Sequence, residues 1–115
     1  MLSDKGIYLF HGDCVGTDSW LLRLSSCNAK VDLVLADPPY GTTQCKWDSV
    51  IPFVPLWEGL NSLIDNNVPV CIFGMEPFSS ALRMSNIKNF KYDWIWQKSQ
   101  ATGFLNAKKT TAAGD

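Results

Sequence analysis

The feature that most constrains the fold is an apolar run that stops abruptly at two prolines. Residues 31–36, Val-Asp-Leu-Val-Leu-Ala, have the composition and length of a buried strand. The run ends at Asp37-Pro38-Pro39 because a proline has no N–H to donate to a neighbouring strand. The sequence therefore predicts that residues 37–40 form a turn at one end of a sheet.

Strand-like and helix-like patterns alternate along the chain. Apolar runs at 7–10 and 68–73 predict two further strands, and the alternating aromatic residues of 92–96 predict a fourth. Thr17 and Pro77 are candidate starts of the first and third helices. The predicted helix faces carry Trp20, Leu21 and Leu24, then Phe53, Trp57, Leu60 and Ile64, then Phe78, Ala81 and Leu82. The alternation predicts one α/β domain over residues 1–115, with a mostly parallel sheet flanked by helices.

Composition excludes several classes of protein. The chain has 115 residues, of which 46% are hydrophobic, so it is too apolar for a disordered tail. It has no apolar run near the ~18 residues that span a bilayer, and no basic and apolar leader at its start. The four cysteines form no C-x-x-C pair and there is one histidine. We therefore expect a cytoplasmic protein with reduced thiols, without a metal or a membrane partner.

Charge is unevenly distributed. Residues 1–79 carry four basic and nine acidic side chains, a balance of −5, whereas residues 80–115 carry six basic and two acidic ones, a balance of +4. A basic end on a nearly neutral protein is typical of a surface that faces a polyanion. A solvated lysine-rich surface explains the same charges, and charge alone favours this second interpretation.

The turn at Asp37-Pro38-Pro39-Tyr40 has a specific chemistry. Two successive prolines fix two φ angles and remove two N–H donors, so the turn offers carbonyl oxygens without competing donors. Asp37 and the Pro38 carbonyl would accept the two hydrogens of an exocyclic amino group, while Tyr40 stacks on the ring. An ordinary strand-end turn is the alternative interpretation of this tetrapeptide.

Three turns follow predicted strands and are candidates for one site. They are His11-Gly12-Asp13, Asp37–Tyr40 and Gly74–Pro77. Ligands bind outside the carboxyl ends of the strands in open parallel sheets, so we expect the three turns along one edge. In the stretch after Tyr40, Lys46 and Trp47 have the side chains that contact nucleic acids by phosphate attraction and base stacking, or Trp47 would pin this loop to the domain.

These motifs together resemble a family. Asp37-Pro38-Pro39-Tyr40 after an apolar strand, with Gly12-Asp13-Cys14 upstream, is similar to the DNA amino-methyltransferases. These are the N6-adenine and N4-cytosine enzymes of restriction–modification and phage systems. The resemblance covers residues 7–109 and includes the segments 70–74, 92–98 and 102–109. It is closest to the arrangement in which the catalytic motif lies near the amino terminus.

The resemblance implies a partial Rossmann-like methyltransferase fold. It implies methyl transfer from S-adenosylmethionine to the N6 amino group of an adenine flipped out of DNA. Asp37 and the Pro38 carbonyl would hold the amino group, and catalysis would depend on alignment and electrostatics. The implied residues are Asp37, Pro38, Pro39 and Tyr40 for catalysis, Gly12, Asp13, Cys14 and Asp37 for the cofactor, and Lys46, Trp47, Lys98, Lys108 and Lys109 for DNA.

The chain departs from the family in one respect. Members carry a glycine-rich F-x-G-x-G loop for the methionine part of the cofactor towards the carboxyl end, whereas the glycines there, Gly74, Gly103 and Gly114, form no G-x-G. We therefore expect the amino-terminal portion of a methyltransferase, completed by a second chain or a longer product. The alternatives are an inactive remnant that acts at most as a DNA-binding or interaction module, and an N4-cytosine or RNA amino-methyltransferase.

Overall fold

A computed structural model describes residues 2–4 and 6–99 of the chain. Its secondary structure comprises, in chain order, β1 (Leu2–Asp4), β2 (Ile7–Leu9), α1 (Trp20–Ser26), β3 (Val34–Ala36), α2 (Phe53–Asn61), β4 (Val70–Ile72), α3 (Phe78–Ser85) and a 3-10 turn (Ile87–Asn89). The chain divides into two compact units, residues 1–73 and residues 74–115. The structure confirms the α/β class in its described part.

The second and third predicted strands pair in parallel. β3 and β4 align Val34 with Val70 and Ala36 with Ile72. The Val34 N–H donates to the Pro69 carbonyl oxygen at 3.0 Å, so the proline at the start of the second strand contributes an acceptor where it lacks a donor. The Phe73 N–H donates to the Ala36 carbonyl oxygen at 2.9 Å. Asp37 and Phe73 consequently leave the same, carboxyl, edge of this sheet.

The first predicted strand belongs to a different sheet. β2 pairs with β1 as an antiparallel hairpin in which Ile7 lies opposite Asp4, and its three side chains are exposed. The prediction of a buried strand in a shared parallel sheet is therefore wrong for this segment. A hairpin between neighbours closes a very short loop, whereas joining the parallel pair would require a long crossover.

Helices α1 and α2 enclose the core of the first unit. Leu21 of α1 packs with Leu56 and Leu60 of α2 and with Leu63, which follows that helix. The two helices approach closely beside Gly59, where an added Cβ would lie 2.9 Å from the Leu21 Cδ1 atom. The buried side chains that the structure describes are therefore mainly leucines.

Two details of the predicted helices are corrected. The N-cap of α1 is Ser19, whose hydroxyl accepts the Leu22 N–H at 3.3 Å, and it is not Thr17. The most buried face of α2 is centred on Leu56 and Leu60. Ile64 lies beyond the helix end, and the side chains of Phe53, Trp57 and Ile64 are only partly buried.

The second unit contains α3, which begins beside Pro77 as predicted. Phe78 is its buried residue. The predicted fourth strand is absent from described residues 90–99, where the backbone is irregular and the Trp94 side chain is 83% exposed. The alternating pattern is real, but no neighbouring strand among the described residues offers it a hydrogen-bonding partner. None of the helices described is long and apolar enough to cross a membrane.

Candidate functional site

Residues 37–40, which the sequence predicts to form a turn, leave the carboxyl end of β3 as irregular backbone without an assigned turn. The Tyr40 hydroxyl donates a hydrogen bond of 2.8 Å to the Asp37 carboxylate. This bond holds the phenol ring beside the carboxylate, and a carboxylate that accepts one hydrogen bond retains acceptor capacity on its other lone pairs. Asp37 is exposed, whereas Pro38, Pro39 and Tyr40 are partly buried. The Asp37–Tyr40 segment therefore presents a solvent-accessible hydrogen-bond acceptor, the Asp37 carboxylate, beside the ring of Tyr40.

The loop that follows this segment is closed by a carboxylate that sequence reasoning did not single out. Asp48 is only 8% exposed. Its Oδ1 atom accepts the Gly41 N–H at 2.9 Å, and its Oδ2 atom accepts the Thr43 N–H at 2.7 Å and the Thr43 hydroxyl at 2.6 Å. Three charge-assisted hydrogen bonds thus connect the end of the loop to its beginning.

The same bonds favour the ionised form of Asp48. The hydroxyl of Thr43 contributes most and the N–H of Gly41 next, and together they lower the pKa of this carboxyl below its ordinary value. Partial burial acts in the opposite direction and is outweighed. The loop is consequently held by a carboxylate that stays charged around neutral pH.

A cavity of about 490 Å³ lies where β2 leads into α1. Gly12 and Asp13 line it, together with the rings of Phe10 and Trp20, which stack with centroids 6.1 Å apart. Its volume lies within the ~300–1,000 Å³ range of small-molecule sites. A carboxylate acceptor next to aromatic rings suits the nucleoside end of a cofactor, whose ribose hydroxyls donate hydrogen bonds and whose base stacks.

Cys14 lies apart from that cavity. It lines a second cavity, of about 270 Å³, with Pro55, Glu58 and Gly59 among its neighbours. Burial is the main cause that raises the pKa of the Cys14 thiol, and the nearby charge of Asp13 acts in the same direction. A neutral thiol packed against the leucine core is a structural residue in this geometry.

The two predicted parts of the site, residues 11–14 and residues 37–40, do not line a common cavity among the two described. Residues 37–40 line neither of the two spaces at Gly12–Asp13 and at Cys14. The turn at 11–13 follows a strand of the hairpin, so the prediction that it shares a sheet edge with Asp37 is wrong. The parallel sheet places only Asp37 and Phe73 at its own carboxyl edge within the first unit.

The predicted DNA contacts have different surroundings. Lys46 is exposed and the Trp47 side chain is 73% exposed, so Trp47 does not pin its loop to the domain. Lys98 is exposed in the irregular segment after Trp96. Lys108 and Lys109 lie outside the described residues.

A second carboxylate cluster surrounds the start of α3. Glu76 accepts the Ser80 N–H at 2.7 Å and the Ser80 hydroxyl at 2.6 Å. Arg83 contacts both Glu76, at 3.4 Å, and Asp93, at 3.3 Å. The bonds from Ser80, with the charge of Arg83, lower the pKa of Glu76. Nowhere in the described residues do three or more His, Cys, Asp or Glu side chains form a group that could hold a metal ion.

Asp48 is the residue of this site that the sequence interpretation missed. A weak signal was present, since Gly41-Thr42-Thr43 followed by an aspartate a few residues later has the side chains of a closed polar loop. The spacing alone does not identify which donors the carboxylate meets.

Comparison with known proteins adds no relative. No protein-family model matches the chain, and no curated protein and no solved structure is significantly similar to it.

Proposed function

We propose that the chain carries the base-binding half of a DNA amino-methyltransferase that acts on the N6 atom of adenine. The observation that carries this proposal is the Asp37–Tyr40 segment at the carboxyl end of β3, in which the Tyr40 hydroxyl donates to the Asp37 carboxylate. Its support from sequence is the resemblance of residues 7–109 to that family.

Each residue of the segment has a role in this proposal. The Asp37 carboxylate and the Pro38 carbonyl oxygen accept the two hydrogens of the target amino group. Accepting both hydrogens draws the nitrogen lone pair out of conjugation with the ring and makes the nitrogen a better nucleophile. Tyr40 is held beside Asp37 by its hydroxyl, so its ring can stack on the base while the amino group meets the carboxylate. Pro39 keeps the segment rigid.

The cofactor would bind at the cavity beside α1. Asp13 would accept hydrogen bonds from ribose hydroxyls, and the Phe10–Trp20 pair would contact the base. S-adenosylmethionine would supply a methyl group on a positively charged sulfur. Gly12 lines the same space, whereas Cys14 lines the separate cavity of about 270 Å³.

One observation favours a second candidate. Neither described cavity includes residues 37–40, and the sequence has no glycine-rich F-x-G-x-G loop after them. A chain that holds the base-binding segment without a complete cofactor site would act as a DNA-binding or interaction module. The N4-cytosine and RNA enzymes are further candidates, because their targets are also exocyclic amines.

Calorimetric titration with S-adenosylmethionine separates the two candidates. The enzyme requires saturable one-site binding that is lost in Asp13→Ala. Transfer of a labelled methyl group to adenine in unmodified DNA should then fall at least ~100-fold in Asp37→Ala, the scale of losing one aligned electrostatic contact.

The control for Asp37→Ala is Asp32→Ala, which removes an exposed carboxylate just before β3. Circular dichroism checks that each variant is folded. Retained transfer in Asp37→Ala would overturn the role of that residue. A folded chain that releases no heat with the cofactor would favour the module.

A further inference from the structure

The loop between Gly41 and Asp48 presents its two candidate DNA contacts at the corner of a turn. The Asp48 N–H donates to the Cys45 carbonyl oxygen at 3.0 Å. This bond closes a four-residue turn in which Lys46 and Trp47 occupy the two central positions. Both are exposed, and Trp47 exposes 73% of its surface. An aromatic ring and an ammonium group are therefore displayed side by side at the tip.

The side chain of Asp48 fixes the base of the same loop. It accepts the N–H of Gly41, the residue that directly follows Tyr40, at 2.9 Å. The Thr43 hydroxyl donates to Asp48 and also accepts the Cys45 N–H at 3.3 Å. One residue thus closes the turn with its N–H and connects that turn to the Asp37–Tyr40 segment with its carboxylate.

The structure assigns Asp48 as a positioning residue that holds Trp47 against DNA, with Lys46 beside it. This inference rests on the proposed function and deepens it by naming what sets the geometry of the DNA-contacting loop. Trp47 stacks on a base and Lys46 pairs with a phosphate. Stacking on an aromatic ring tolerates any base, so this loop adds affinity without reading a sequence.

The direction in which one substitution changes the Kd for DNA distinguishes a positioning role of Asp48 from an effect of its charge alone. Asp48→Asn removes a negative charge next to the DNA, which by electrostatics alone would strengthen binding. Positioning predicts the opposite. Gly41 and Thr43 donate to different oxygens of the Asp48 carboxylate. In asparagine an NH₂ group replaces one of these oxygens, so the backbone N–H of either Gly41 or Thr43 would face another donor.

The experiment is fluorescence anisotropy of the full chain with a fluorescein-labelled oligonucleotide, single-stranded and as a duplex. We expect Trp47→Ala to raise the Kd roughly 5- to 150-fold, the range of one lost base stack. Asp48→Asn should raise it at least ~3-fold. The double variant should bind within about twofold of Trp47→Ala alone, because Asp48 acts through Trp47 and coupled effects do not add. Lys46→Ala should reduce the salt slope by about one.

The matched control is Asp32→Asn, which makes the same charge change at an exposed position before β3. Its Kd should stay equal or fall slightly. Thr43→Val removes one of the three bonds to Asp48, so it serves if Asp48→Asn does not fold. It should weaken binding in the same direction and by less.

The outcomes separate this inference from the function beneath it. A wild-type chain that does not bind DNA would overturn both. Binding that is equal in wild type, Asp48→Asn and Thr43→Val would overturn the positioning role and leave the proposed function standing. Additive losses in the double variant would also overturn it, because Asp48 would then act independently of Trp47. If an RNA strand of the same sequence bound with a lower Kd than DNA, RNA would replace DNA as the partner of this loop.

Discussion

Two regions of the molecule use a carboxylate in a similar way. In the loop after β3, Asp48 binds both the N–H and the hydroxyl of Thr43. Before α3, Glu76 binds both the N–H and the hydroxyl of Ser80. In each pair the hydroxyl of the partner is the largest cause that lowers the pKa of the carboxyl. The covered clamp (Asp48 with Thr43) and the exposed clamp (Glu76 with Ser80) therefore have nearly the same local chemistry.

The surroundings of the two carboxylates differ. Asp48 is nearly covered and supports a loop without regular secondary structure, so the loop depends on it for its hydrogen bonds. The Glu76 side chain is exposed. It precedes α3, and the backbone hydrogen bonds in the interior of that helix do not involve the Glu76 side chain. We infer that a carboxylate contributes most to the stability of the fold where the neighbouring backbone does not form the hydrogen bonds of a helix or a sheet.

The largest expected effect separates the two clamps directly. Asp48→Asn should lower the urea midpoint more than Glu76→Gln and more than any other substitution below. The ordinary pKa is 3.8 for the carboxyl of Asp48 and 4.5 for that of Glu76, and the pKa of each is lower than this in the folded chain. Each therefore stabilises the fold fully above its ordinary value, and the contribution is lost as pH falls through the lowered pKa.

Urea unfolding followed from pH 7 down to pH 3 measures this dependence. Each variant should lose part of the acid sensitivity of the wild type, and Asp48→Asn should lose more. An equal or larger effect of Glu76→Gln would show that the exposed clamp contributes as much as the covered one, and the comparison would fail.

The second prediction concerns the start of the loop. Gly41 has a φ of +73°, and an added Cβ would lie 2.8 Å from the Val50 Cγ2 atom. Gly41→Ala should destabilise the fold by about 1–3 kcal/mol, the cost of a side chain in this backbone region. The control is Gly16→Ala, which has a φ of +112° and open space around the new Cβ. Adding Val50→Ala to Gly41→Ala should recover the part of the loss that is due to contact.

The third prediction concerns the hydroxyl of Thr43. Thr43→Val removes its bond to Asp48 and the bond that it accepts from the Cys45 N–H, and each lost bond should cost about 0.5–1.5 kcal/mol. Thr42→Val is the neighbouring control, since the Thr42 side chain is exposed. Ser80→Ala tests the corresponding bond of the exposed clamp and should cost less. Chemical denaturation of the three variants ranks them, and the reverse order would contradict the inferred role of burial.

The smallest expected effect is at Arg83. This side chain connects Glu76 with Asp93 and lies over the Phe90 ring at 6.0 Å. Both carboxylates are solvent-exposed, so Arg83→Gln should cost only about 0.2–1 kcal/mol, and less at high salt. A loss that is unchanged by salt would indicate packing on Phe90 as its origin.

Short-range patterns predicted much of what the structure contains. Parts of the run before Asp37 and of the run at 68–73 form the parallel pair β3–β4, as their β-branched and aliphatic residues favour. The predicted burial of the first of these strands is wrong, since Leu35 is 68% exposed. The helices at Leu21, Leu56 and Phe78 lie where apolar spacing placed them. The end of β3 at Ala36 was predictable for the same reason, since two prolines interrupt a strand without help from distant residues, but residues 37–40 form no assigned turn.

Tertiary structure decided which segments and side chains became partners. Residues 7–9 and 92–96 both have strand-like sequences, yet the first forms a hairpin with β1 and the second has no strand partner among the described residues. A strand pattern specifies which side chains can pair and not which neighbour is present. Burial of Asp48 is of the same kind. Its carboxylate gains its role only because the loop folds back to bring Gly41 and Thr43 within hydrogen-bonding distance.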